Sequence, residues 1–209
     1  MSPIAIVLVI VMGYIIGSVP NAYLVAQTKG VNIFKVGSGN MGANNVARAC
    51  GIQYGALVWV LDGLKGILAV VLARWMLPGY EAVASMLGAV AVVAGHNWSV
   101  LATLITGKIR GGKGAATASG TLILLAPTLM VAVVLALATA IVLITRYVSL
   151  GGLTAMALSA LAFAGLALFG SLEPIYSLYL LIALMVFVRH RTNIVNLLQG
   201  RERRLGERT

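Results

Sequence analysis

Residues 37–48 read Gly37-Ser38-Gly39-Asn40-Met41-Gly42-Ala43-Asn44-Asn45-Val46-Ala47-Arg48, a glycine- and amide-rich loop in a chain that is otherwise apolar. Three glycines let the backbone turn sharply and bring its N–H groups close to a ligand. Ser38, Asn40, Asn44 and Asn45 offer neutral hydrogen bonds, and Arg48 offers a fixed cation. Such a set suits an anionic group, phosphate above others, at a membrane face. The same residue types suit turns and helix caps, so the loop alone leaves both readings open.

Two further segments carry similar chemistry. In Gly111-Gly112-Lys113-Gly114-Ala115-Ala116-Thr117, glycines flank a lysine at the expected start of a helix. A helix N-terminus presents free N–H donors and partial positive charge, and the lysine adds a full charge. Lys108 and Arg110 reinforce that field. The spacing is not that of a nucleotide-binding P-loop. In Val188-Arg189-His190-Arg191-Thr192-Asn193-Ile194, His190 and Asn193 are three apart and share a helical face. His190 suits a phosphate oxygen as a cation or a proton as a base. A helix end decorated with basic groups is the alternative. Arg146-Tyr147-Val148-Ser149 reads as a short turn, with Ser149 capping the next helix.

The elements that hold these loops are those of a membrane protein. Of the 209 residues 60% are hydrophobic and 10% charged, and the mean hydropathy is +1.00. Apolar runs at 3–26, 53–74, 82–105, 112–126, 127–145, 149–170 and 174–190 predict an all-α integral membrane protein of about seven transmembrane helices, in a single membrane-embedded domain over 1–209. The first run lacks the basic flank and cleavage site of a signal peptide. Pro127 divides the long stretch from Ala115 to Thr145, because proline breaks the helical ladder. A single kinked helix there would give about six spans.

Charge decides the orientation. Lys29, Lys35, Arg48, Lys108, Arg110, Arg146, Arg191, Arg201, Arg203, Arg204 and Arg208 all fall on one side, against Arg74, Glu81 and Glu173 on the other. The positive-inside bias then predicts N-out/C-in, with every polar loop on the cytoplasmic face. The net charge of +10 fits this bias and anionic headgroups, and no nucleic acid is expected. The run from Arg201 to Arg208 reads as a headgroup-facing tail. Cys50 is the only cysteine and no metal-ligand spacing occurs, so neither a disulfide nor a metal or other cofactor is expected. Inside the spans, Asp62 and Lys65 are placed to pair on one helical face, as a packing ion pair or as a cation with its orienting partner near a polar pocket, and His96 and Asn97 suit an interhelical contact, with His96 as a proton carrier the alternative.

Taken in order, these segments resemble the bacterial acyl-phosphate-dependent glycerol-3-phosphate acyltransferases, the PlsY family. The resemblance runs from Gly17-Ser18-Val19-Pro20 through the 37–48 loop, Asp62 with Lys65-Gly66, Gly95-His96, the 111–117 loop and Arg146 to Leu150. It ends in His190 to Ile194, Leu197-Leu198, Gly200 and Glu202. Asn44 stands where the family commonly has threonine, Ser99 where it often has proline, and Asn196 where arginine is usual. The segment before the 111–117 loop is one residue longer, with Arg110 in place of the usual lysine.

The resemblance implies seven helices in the bacterial inner membrane. It also implies transfer of a fatty acyl group from acyl phosphate to the 1-hydroxyl of glycerol 3-phosphate, giving lysophosphatidic acid and phosphate. Residues and resemblance together nominate Ser38, Lys113 and His190 as catalytic. Asn40, Asn45, Arg48, Gly112, Gly114, Thr117, Arg146, Ser149 and Asn193 are nominated as substrate-binding. No Ser-His-Asp system is apparent, which favours direct transfer over an acyl-enzyme. The rivals are an organic-phosphate transporter, for which no inverted repeat is found, and a lipid phosphatase, for which the acidic cluster is missing.

Overall fold

The computed structural model describes residues 1–207, and over these it is all-helical apart from one isolated antiparallel bridge between Ser99 and Arg110. Arg208, one of the basic residues expected on the cytoplasmic side, lies outside the described residues. The helices are α1 (Pro3–Ser18), α2 (Asn21–Gln27), α3 (Ala43–Cys50), α4 (Ile52–Met76), α5 (Glu81–Asn97), α6 (Val100–Thr106), α7 (Ala115–Leu125), α8 (Thr128–Thr145), α9 (Val148–Leu168), α10 (Tyr179–Arg189) and α11 (Arg191–Leu198).

Among the described residues, four segments are long and apolar enough to cross a bilayer: Pro3–Gln27, Ile52–Met76, Thr128–Thr145 and Val148–Leu168. Pro174–Arg189 and Arg191–Leu198 form a fifth only as a pair bent by 64°. The expected run 82–105 is broken. α5 ends at Asn97, and Ser99 starts α6 by accepting a hydrogen bond from the Ala102 N–H at 3.0 Å. The expected run 112–126 shortens to α7, because Gly114 takes a left-handed conformation at the helix start. At ~1.5 Å per residue, α7 is about half as long as a bilayer core is thick. Pro127 does divide the stretch, between the end of α7 and the start of α8.

α1 packs on α5 and α4 on α7 through glycines. A Cβ on Gly17 or Gly95 would run into backbone of the facing helix, and Gly66 and Gly120 do the same for the second pair. Small residues at such crossings let helices approach where lipid gives no hydrophobic drive. A core of Met86, Val92, Leu122, Met156, Phe163 and Tyr179 fills the space between α5, α7, α9 and α10. Outward, the bundle is oily. α8 buries only Val134, while Leu129, Leu143 and Ile144 are largely exposed. A surface of this kind is matched to lipid tails.

The charged pair in α4 braces a broken helix. Pro20 separates α1 from α2, and the carbonyls stranded there find side-chain donors: Ser99 Oγ to Ser18 O at 2.6 Å and Lys65 Nζ to Val19 O at 3.2 Å. Asp62 in turn lies 2.9 Å from Lys65 Nζ and accepts from Asn21 Nδ2 at 3.0 Å.

Hydrogen bonds also sort the connections into two ends. Met1 with Tyr80, and Arg74 with Leu124 O, tie one end together. Ser99 with Arg110, Arg189 with Gly112, Lys113 with Asn193, and Arg146 with Leu205 tie the other. The 111–117, 146–149 and 188–194 segments belong to the second end, and the 37–48 loop lines a cavity together with Lys113, Ser149 and His190 there.

Candidate active site

The 37–48 loop is organised from within by Asn45. Its Oδ1 accepts from the Ser38 N–H at 3.1 Å, while Nδ2 reaches Ile33 O at 3.2 Å, Val36 O at 3.1 Å and Asn40 O at 3.1 Å. Asn45 was expected to bind substrate, but its buried amide is committed to holding the loop's shape. Gly37 and Gly39 provide the left-handed turns (φ +56° and +64°) that leave Ser38 and Asn40 facing a cavity. α3 buries Val46 and turns Arg48 to the site. Arg48 is half-buried, and its Nε has no hydrogen-bond partner among the described residues. Burial first, and then the charge of Arg203, hold its guanidinium below its ordinary basicity.

The 111–114 loop is clamped from both sides. The Gly112 N–H donates to His96 O at 2.8 Å, and Arg189 donates Nε to Gly112 O at 2.9 Å and Nη2 to Gly111 O at 3.3 Å. The His96 imidazole occupies the space a side chain at position 112 would need. Gly112 is therefore required for packing, and its amide is not free to hold a phosphate as the sequence suggested. Gly114 caps α7 at φ +80° and faces the site.

Lys113 emerges from this clamp, in the loop ahead of α7, and Nζ donates to Asn193 Oδ1 at 2.5 Å. Asn193 Nδ2 donates to Glu202 Oε1 at 2.6 Å, and Ser149 Oγ donates to the same oxygen at 2.6 Å. Burial pushes the Lys113 ammonium down to about 8, against the raising influence of Glu202 and with the help of Arg48 and Arg189. His190 sits buried at the bend between α10 and α11. Its Nδ1 lies 2.8 Å from Val186 O, which can only accept. Nδ1 therefore carries a proton, and in the neutral ring Nε2 keeps its lone pair.

Two cavities meet here. One, of about 650 Å³, is polar and lined by Arg48, Lys113, Ser149, Asn193 and Glu202 with the segment 203–207. The other, of about 410 Å³, contains Ser38, Asn40, Gly114 and His190 at its polar part and Leu135, Ala138, Val142, Gly151, Gly152 and Ala155 along its apolar part. Asn44, Arg48, Lys113, Val148 and Ser149 line both.

Three nominated residues line neither cavity: Gly112, held in its clamp, and two others. Thr117 is fully buried in α7 and lines neither cavity. Arg146 ends α8 in a left-handed conformation (φ 62°) and donates Nη2 to Leu205 O at 2.6 Å, so it anchors the chain's last segment. Ser149 is not the expected helix cap: Tyr147 occupies that position, and the Ser149 hydroxyl is turned to Glu202. Glu202 was missed as a site residue because it lies among arginines read as a headgroup-facing tail. The structure folds that tail back over the polar cavity. Asp62 and His96 also line the apolar cavity. Among the described residues, no three His, Cys, Asp or Glu side chains are grouped to hold a metal ion.

Residues 7–200 match the family model described as glycerol-3-phosphate acyltransferase. The glycerol-3-phosphate acyltransferase of Thermus thermophilus is 42% identical over 211 residues, covering 98% of this chain and 97% of the relative. That of Desulforudis audaxviator is 41% identical over 210 residues, covering both chains fully. The crystal structure of PlsY, an integral membrane glycerol 3-phosphate acyltransferase, in its glycerol 3-phosphate form superposes with a TM-score of 0.82 at 34% identity over 96% of each chain. Its lysophosphatidic acid form gives 0.79.

Proposed function

Because this chain belongs to the glycerol-3-phosphate acyltransferase family, as an integral membrane protein of the PlsY type, we propose that it moves a fatty acyl group from acyl phosphate to the 1-hydroxyl of glycerol 3-phosphate. The products are lysophosphatidic acid and inorganic phosphate, and the reaction is the first acylation of phospholipid synthesis. One membrane-embedded domain carries it out. The chain crosses the bacterial inner membrane seven times, N-out and C-in, with the site toward the cytosol. The concentration of basic residues at the site end supports that orientation.

The observation that carries this reading is the junction of a polar cavity with an apolar one at Arg48, Lys113 and Ser149. A water-soluble phosphate ester suits the polar cavity, and an acyl chain suits the apolar groove between α7, α8 and α9. The two must meet where positive charge is concentrated, because both substrates bear phosphate. A relative of the same fold crystallised in glycerol 3-phosphate and lysophosphatidic acid forms lends further support.

Glycerol 3-phosphate is held by Lys113, Arg48 and Asn193, with its 1-hydroxyl toward the acyl carbonyl. The donor's head lies against Ser38, Asn40 and His190. The hydroxyl oxygen bonds to the acyl carbon as the bond from that carbon to the phosphate oxygen breaks, and phosphate leaves with the electron pair. The hydroxyl proton passes to His190 Nε2 or to a phosphate oxygen. Arg48 and Lys113 stabilise the charge that develops on the leaving phosphate, as fixed cations in a partly desolvated site do. Direct transfer is favoured because, among the described residues, no serine hydroxyl is hydrogen-bonded to a histidine ring. The test is incubation of the purified protein with palmitoyl phosphate and radiolabelled glycerol 3-phosphate. A labelled lipid supports the proposal, and no labelled lipid removes it.

A further inference from the structure

After α11 the chain reverses at Gly200 (φ +66°) and runs back across the mouth of the polar cavity. Two anchors fix this strap. At one end, Glu202 accepts from Ser149 and Asn193. At the other, Leu205 N–H donates to Arg146 O at 2.7 Å, and Arg146 Nη2 returns a bond to Leu205 O at 2.6 Å. Arg203 lies between the anchors, so its place on the cavity wall is set by the residues on either side.

The neighbouring basic side chains have partners. Arg201 is bonded to Gln199, and the Arg204 guanidinium lies 5.5 Å from the Tyr147 ring centre. Arg203 makes no side-chain hydrogen bond or ion pair among the described residues, although it lines the same cavity as Arg48 and Lys113. The charged residues lining that cavity are Arg48, Lys113, Arg203 and Arg204 against Glu202 and Glu207, a formal surplus of two positive charges. Arg203 also depresses the basicity of Arg48, the mark of two like charges held near each other. Folding does not gather uncompensated cations around a cavity without cost, and a bound dianion offsets it. A phosphate monoester carries nearly two negative charges at neutral pH.

We propose that Arg203 is a substrate-binding residue, the third cation on the phosphate of glycerol 3-phosphate, delivered by the C-terminal strap. This rests on the placement of that substrate in the polar cavity. It makes the strap part of the acceptor site and distinguishes Arg203 from Arg201, which bears the same charge two residues away.

The experiment compares Arg203→Ala, Arg203→Lys and Arg201→Ala with the unaltered protein in zwitterionic nanodiscs, measuring KM for glycerol 3-phosphate and for acyl phosphate separately. Loss of a charge-assisted contact is expected to raise KM for glycerol 3-phosphate about 10-fold in Arg203→Ala, with KM for acyl phosphate changed by less than about 2-fold. Arg203→Lys recovers part of the loss, and Arg201→Ala behaves as the unaltered protein. The inhibition constant of inorganic phosphate, competing with glycerol 3-phosphate, rises in parallel. An unchanged KM for glycerol 3-phosphate in Arg203→Ala overturns the proposal. So does an equal rise in both KM values, or an effect present only with anionic lipid, which would make Arg203 a headgroup contact. If Arg203→Ala does not fold, Arg203→Lys and Arg203→Gln decide by the same readouts. Failure of the unaltered protein to acylate glycerol 3-phosphate would instead count against the proposed function.

Discussion

Replacing Lys113 by methionine is expected to make the ligand-free protein more stable while removing its activity. Lys113 is held from an ordinary value of 10.5 down to about 8, chiefly by burial. At about 1.4 kcal/mol per tenfold, this corresponds to about 3 kcal/mol of unfavourable charging at pH 7. Methionine fills nearly the same space without the charge. Losing the bond to Asn193 returns about 1 kcal/mol, and the residual exposure of the ammonium lowers the gain further. A net stabilisation of about 1–2 kcal/mol remains, equivalent to a Tm rise of about 2–8 °C. Loss of the cation at a phosphate costs about 2–4 kcal/mol of transition-state binding, or roughly 30- to 1000-fold in kcat/KM. Thermal unfolding in detergent checks the first part. Added glycerol 3-phosphate should raise the Tm of the unaltered protein more than that of Lys113→Met at the same concentration. A lower Tm for ligand-free Lys113→Met would refute this account, since the ammonium would then be a net contributor to folding.

The same lysine sets a pH limit. Its depressed pKa means the charge is present below about 8 and lost above it, so kcat/KM falls as pH rises through about 8. Bound phosphate stabilises the ammonium, so the corresponding fall in kcat lies at higher pH; identical profiles would count against Lys113 as the phosphate ligand. Gly112→Val should abolish activity through collision with His96, and Gly112→Ala with His96→Ala should recover more activity than Gly112→Ala alone. No recovery in the double variant would mean that His96 does not restrict position 112. Arg189→Gln, which leaves the carbonyls of Gly111 and Gly112 unclamped, should lower kcat/KM about 10-fold or more with Lys113 still in place; a normal rate would show that the loop holds itself. Acyl-CoA should be a poor donor and EDTA without effect; comparable turnover with acyl-CoA, or loss of activity on chelation, would count against direct transfer from acyl phosphate.

Much of the architecture was legible in the sequence because lipid imposes simple rules. Apolar runs marked α4, α8 and α9 to within a few residues, and Pro127 marked the break before α8. Three polar loops were expected at one end of the bundle; the structure joins two of them through Lys113 and Asn193, 80 positions apart, and brings the third, 37–48, to the same cavity. What could not be read was the inward or outward role of each polar residue. Asn45 and Asn40 look alike as amides in one loop and both reach one cavity, yet Asn45's amide is committed to four backbone groups while Asn40's side chain makes no hydrogen bond among the described residues. Thr117 was expected to follow Lys113 into the site, but it lies a helical turn deeper, in the contact between α7 and α4. The strap gave no periodic signal. Its meaning lies in long-range pairs, Ser149 with Glu202 and Arg146 with Leu205, which a run of basic residues does not reveal.

In the proposed reaction the site reconciles two substrates of opposite solubility. An acyl phosphate would partition its chain into lipid, while glycerol 3-phosphate stays in water, and neither medium alone serves both. A cavity open to water and a groove among apolar helices can share only a narrow boundary, and here that boundary is Asn44, Arg48, Lys113, Val148 and Ser149. Cations at such a boundary are partly stripped of water before any substrate arrives. Lys113 and Arg48 register this as lowered basicity. That desolvation destabilises the empty protein and strengthens each cation's hold on phosphate, because both effects come from the same loss of screening. The clamp around Gly111 and Gly112, the Asn45 staple and the strap are therefore parts of one requirement: they hold like charges together until a phosphate neutralises them.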